Sequence, residues 1–120
     1  MTFDVEVVLK GRDVAVTENV SITHGDPASW DDNAVRDVLV GILRAVDRAQ
    51  NPDAAEDRLV VLQGFSWIVE PANQSSIIAI EIPMGAAVAG PFAIGSAELD
   101  SMIARVLRAE RQAVAPRTIH

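Results

Sequence analysis

Val35, Val38, Leu39, Ile42, Leu43, Val46 and Ala49 recur at three-and-four spacing, which puts them on one side of a helix of about 20 residues. A helix with one apolar side has to bury it, so the rest of the chain must supply a matching apolar surface. Ser29 to Asp32 has the Ser-x-x-Asp spacing of a capping box, with acids at the positive end of the helix dipole, and Asn51-Pro52 closes the far end. Beside the stripe, Ala34, Gly41 and Ala45 form a ridge of small residues. A glycine inside a helix costs about 1 kcal/mol relative to alanine, so this ridge predicts a close approach by another element.

The matching surface is read from a second period. Phe3, Val5, Val7 and Leu9 alternate with Asp4, Glu6 and Val8, the pattern of a half-buried strand. Lys10-Gly11-Arg12-Asp13 has hairpin-turn composition, and Val14, Val16, Val20 and Ile22 continue the alternation, with Glu18 on the apolar side. A bulge over Thr17 to Asn19 is the common cause of such a break, and a pocket acid is the other reading. After a polar linker, Pro52 to Arg58, the run Leu59 to Val69 and the run Ile77 to Ile82 flank Pro71-Ala72-Asn73-Gln74-Ser75 as a second hairpin. Ser96 caps a last helix with Leu99, Met102, Ile103, Val106 and Leu107 as its stripe.

The expected order is therefore β-β-α-β-β-α: an α+β two-layer sandwich with a four-stranded, mainly antiparallel sheet and two helices on one face. Residues 1–110 form the single domain of this 120-residue chain, and 111–120, charged and poor in apolar residues, form a flexible tail. The third strand conflicts with a half-exposed sheet, because both of its alternation sets are apolar. Either Gly64 swaps the faces, or the strand is central and something covers its second face, the 83–95 segment or another subunit.

Composition excludes several chemistries. With no cysteine there is no disulfide, thiolate nucleophile or iron–sulfur cluster. A net charge of −7 opposes nucleic acid, and the longest uncharged apolar run, Met84 to Gly95, is too short for a membrane span. The N-terminal residues carry acids where a secretion signal needs basic ones, so the cytosol is the expected compartment. Arginine far outnumbers lysine, a habit of GC-rich bacterial genomes.

Candidate chemistry is sparse. His24 and Asp26 have a His-x-Asp spacing, but a zinc or iron site needs a third ligand, and a polar turn explains the pair. No serine stands in a Gly-x-Ser-x-Gly elbow, and no glycine pattern cradles a phosphate. No cofactor is expected. Glu18, Glu70 and Glu81 are the carboxylates available for acid–base work, although strand acids usually face solvent. The 83–95 segment is unusually apolar for a connection. It is either a compact loop tucked against the sheet or a contact surface anchored by Met84, Val88 and Phe92. Trp30 and Trp67 admit the same two readings, cap or core against interface.

The functional expectation is a non-enzymatic binding or assembly domain, a homodimer, with Phe65, Trp67, Glu81, Met84, Val88 and Phe92 at the interface. The alternative is a small ligand-binding protein or enzyme, its pocket walled by the 83–95 segment and a strand carboxylate. A closed cavity beside the acids would favour the alternative, and a flat apolar patch the interface.

Overall fold

The computed structural model describes residues 1–53 and 60–114. The strands are β1 (Thr2–Leu9), β2 (Val16–Ser21), β3 (Ser66–Ala72), β4 (Ser75–Ile82) and β5 (Gly85–Phe92), and the helices are α1 (Asp32–Gln50) and α2 (Ser96–Val114). All five strands form one antiparallel sheet in the order β2-β1-β5-β4-β3.

The expected four-stranded order gains a strand, because most of the supposed 83–95 loop is β5, the centre of the sheet. Its sequence hides this: Gly85-Ala86-Ala87-Val88-Ala89-Gly90-Pro91-Phe92 has little of the branched, bulky character that favours strands. The small residues are needed where β5 is hemmed in by its neighbours. A Cβ on Gly85 would sit 2.0 Å from the Val8 carbonyl oxygen, closer than any side chain can stand.

The alternation of β1 is as expected, with Phe3, Val5, Val7 and Leu9 buried and the residues between them exposed. Its partners across the ladders carry the buried set on: Val20 on β2, Ala87 and Ala89 on β5, Ile78 and Ile80 on β4. The two helical stripes close over this set in one core, α1 over the β2–β1 side and α2 over the β3–β4 side. The small ridge of α1 is approached as predicted: a Cβ on Gly41 would lie 2.7 Å from Val20 Cγ1. Across the helix layer, Arg105 forks onto Asp32 with Nε–Oδ2 and Nη2–Oδ1 distances of 3.0 Å, and Arg36 pairs with Glu110.

Five local expectations change. The cap of α1 is Asp31, whose Oδ1 accepts from the Ala34 N–H at 2.9 Å, because Ser29 is already used in a 3-10 turn, Pro27–Ser29, opened by Asp26. In α2 the first helical bond runs from the Leu99 N–H to the Gly95 carbonyl, so Ser96 is the first helical residue rather than the cap, and the helix takes in the first four residues of the expected tail. The rest of that tail, and Leu59 of the expected third strand, lie outside the described residues.

The β1–β2 ladder runs in unbroken register from Thr2–Ser21 to Val7–Val16, so no bulge surrounds Glu18. Glu18 stays on the helix side of an edge strand, half-buried, with Arg48 Nε 3.8 Å away. The irregularity is instead between β4 and β5, where Ser76 pairs with Phe92 but Ile78 pairs with Ala89, leaving Gly90 and Pro91 opposite Ile77. That extra residue shifts the phase of β5 and turns Phe92 into the core.

The third strand is neither central nor covered: it forms the edge opposite β2, begins only at Ser66, and carries Pro71. Gly64, at φ +78°, is the point where the phase changes, Leu62 packing inward before it and Phe65 and Trp67 packing against the core after it. Asn73 and Gln74, at φ +49° and +69°, make the tight β3–β4 turn.

Candidate functional site

The ladder registers fix which side chains share the sheet face turned away from the helices. One row runs Glu6, Val88, Ala79, Ile68 across β1, β5, β4 and β3, and the next runs Val8, Ala86, Glu81, Ser66. Strand alternation puts these rows opposite the core by necessity, since their neighbours Val7, Ala87, Ile80 and Trp67 point into it. The result is an apolar band in water: Val8 is 48% exposed, Ile68 52%, Val88 42%, and Met84, in the β4–β5 turn at one end, 54%. Between Ile68 and Val88 the short side chains of Ala79 and Ala86 leave a hollow of about 180 Å³, with Glu81 and Ser66 on its wall.

The charges that the strands place on this face have one sign, and Lys10, just past β1 with its N–H on the Met84 carbonyl, is a cation at its end. Asp4, Glu6, Glu70 and Glu81 are all exposed, and none of the five strands contains a lysine or arginine. Glu18, the remaining strand acid, lies on the other face beside Arg48. Arginines of the described helices, such as Arg36, Arg44, Arg48 and Arg105, are in the layer behind the sheet. The open face is therefore an apolar band with Glu6 and Glu81 in its rows, Asp4 and Glu70 along one side, and Lys10 at the Met84 end.

The residues singled out from sequence fall into three places. Glu81 and Val88 are on the open face, and Met84 is at its end. Phe65 and Trp67 are half-buried on the helix side, beside Leu107 and Arg111. Phe92 is at 0% exposure in the core, edge-on to Phe3 with ring centroids 5.1 Å apart and 5.2 Å from Trp30. That makes Phe92 an anchor of the fold rather than of a contact surface, and Trp30, whose Nε1 donates to the Gly25 carbonyl at 3.1 Å, belongs to the same cluster. Val8, Ile68, Ala79 and Ala86 were missed as site residues. Their signal was an apolar residue in the polar register of a strand.

The other candidates are taken up locally. His24 Nε2 is 2.7 Å from Asp37 Oδ2, while Asp26 accepts from the Ala28 N–H, so the His-x-Asp pair is split between two partners. Among the described residues no group of three or more His, Cys, Asp or Glu side chains is placed to hold a metal ion. A cleft of about 550 Å³ between β2 and α1 contains Glu18, Asp37 and Arg48, but these are the pairs already named, facing one another or His24. Ser76, fully buried, donates to the Ile94 carbonyl at 2.7 Å and ties the end of β5 to β4. No helix is long and apolar enough to cross a membrane among the described residues.

Comparison with known proteins adds no relative: no family model matches the chain, and no curated protein or solved structure matches it significantly.

Proposed function

We propose that this chain is a non-enzymatic protein-binding and assembly domain of the cytosol that works through the open face of its sheet. The observation that carries this reading is the apolar band of Val8, Ile68, Val88 and Met84 left in water by a fold whose core is already closed on the other side. Exposed apolar surface that is contiguous and rimmed by polar groups is characteristic of contact sites. A second copy of the chain and a different protein are the two kinds of occupant. The pocket reading has weaker support, because the hollow beside Glu81, at about 180 Å³, is below the roughly 300–1,000 Å³ of small-molecule sites, and the cleft of about 550 Å³ beside Glu18 is lined by β2 and α1 with no residue of the 83–95 segment.

The test is the pair Ile68→Thr and Val88→Thr, which keeps branched side chains on the strands but makes the band polar. Thermal unfolding should be nearly unchanged, within about 0.5 kcal/mol per site, as for exposed positions without a structural task. A large fall in melting temperature would show that the band serves folding and would refute the reading. Sedimentation of both proteins over a range of concentrations then reads whether the band joins copies of the chain.

A further inference from the structure

We propose that the occupant of the open face is a basic amphipathic helix of a different protein, and not a second copy of this chain. The proposal rests on the protein-binding reading above and names its partner by charge and shape.

Charge decides against self-packing. Two copies stacked face to face would bring Asp4, Glu6, Glu70 and Glu81 of each against one another, eight carboxylates with only Lys10 of each copy, at the Met84 end, to offset them. Like charges brought together across an interface suppress association, whereas complementary ones steer and register it. A partner with lysine and arginine beside an apolar stripe meets the band and its four carboxylates with their complement.

Shape points to a helix. The apolar band crosses β1, β5, β4 and β3. Three inter-strand spacings make roughly 14 Å. A helix laid across the strands covers that distance in about ten residues, presenting apolar side chains at i, i+3 or i+4, and i+7. The hollow over Ala79 and Ala86 takes the central one of these. Glu6 and Glu81 stand within the two rows, Asp4 and Glu70 share the next row on the Glu6 side, and Lys10 bonds to the Met84 carbonyl at the opposite end, so the long basic side chains of the partner reach the carboxylates along the Glu6 side of the stripe.

The experiment uses three synthetic peptides of about 14 residues: a leucine-striped helix with lysine and arginine elsewhere, a scrambled peptide of the same composition, and a leucine-striped helix with glutamate in place of the basic residues. Each is titrated into the whole chain, and binding is followed by fluorescence anisotropy and by backbone amide shifts. The basic striped peptide should bind, its shifts centred on Val8, Ile68, Ala79, Glu81 and Val88, and the other two should bind at least about tenfold more weakly. The double variant Glu6→Lys with Glu81→Lys should weaken the basic striped peptide by a similar factor while leaving the thermal transition in place.

Equal binding of the scrambled peptide would reduce the effect to net charge and overturn the proposal. Shifts centred on α1 or α2 would overturn it as well. If the basic peptide does not bind but the wild-type chain dimerises and the Ile68→Thr, Val88→Thr protein does not, the face is an interface and only its occupant is wrong. If the peptide does not bind and the wild-type chain stays monomeric, both readings fall.

Discussion

Removing the ring of Phe92 tests the central claim that the supposed connection is the middle of the fold. The side chain is fully buried and packs on Phe3 and Trp30 at centroid distances of 5.1 and 5.2 Å. Burial of such a side chain stabilises by about 1.5–3 kcal/mol, each aromatic pairing adds about 0.5–1.5 kcal/mol, and the cavity left by alanine collapses only in part. Phe92→Ala should therefore cost about 3–5 kcal/mol, a large share of the roughly 5–15 kcal/mol available to a domain. Urea unfolding followed by tryptophan emission is the assay, and Trp30, sharing the cluster, should also report a changed native environment. Because the ring packs within one chain, the midpoint should shift by the same amount at every protein concentration. A cost below about 1 kcal/mol, or a shift that grows on dilution, would refute the placement of Phe92 and with it the phase change at Gly90–Pro91.

Two further outcomes follow from local geometry. Gly85→Ala should abolish folding or lower the melting temperature steeply, since the new methyl would stand 2.0 Å from the Val8 carbonyl oxygen in the β1–β5 ladder, whereas Gly25→Ala, with open space around its Cα and no left-handed backbone, should cost far less; circular dichroism melts compare them. The Arg105 hydrogen bonds, helped by its charge, hold the Asp32 carboxyl below the usual carboxylate range. A depressed native pKa contributes stability that is present above the unfolded value of about 3.9 and is lost as pH falls through the native one. Both groups are exposed, so the contribution is small. An NMR titration should show Asp32 moving upward in Arg105→Ala, and an unchanged Asp32 titration would contradict the pairing.

The parts of the fold legible in sequence are those where one period dominates. The α1 stripe, the alternation of β1 and the Asn73-Gln74 turn each come from local chemistry that no distant contact overrides. The centre of the sheet was illegible because β5 is shaped by its neighbours: crowding selects glycine and alanine, the composition of a loop. Glu18 was misread for a related reason. Its partner Arg48 is far along the chain, and only the edge position of β2 lets a carboxylate sit half-buried on the apolar side. At the candidate site, Val88 and Met84 were found by their segment and Glu81 as a strand carboxylate, but Val8 and Ile68 acquire meaning only when the registers place them in one band.

The two borders of the sheet have a consequence for how large an assembly of this protein can grow. On β2 the half-buried Glu18 would be carried against any strand added there, and on β3 Pro71 has no N–H to donate to a further ladder. Sideways growth, the route by which sheets run into fibres, is thus discouraged at both ends. Among the described residues, the apolar band on the open face of the sheet is left uncovered. If that face is the contact surface proposed above, its complexes are finite rather than fibrous.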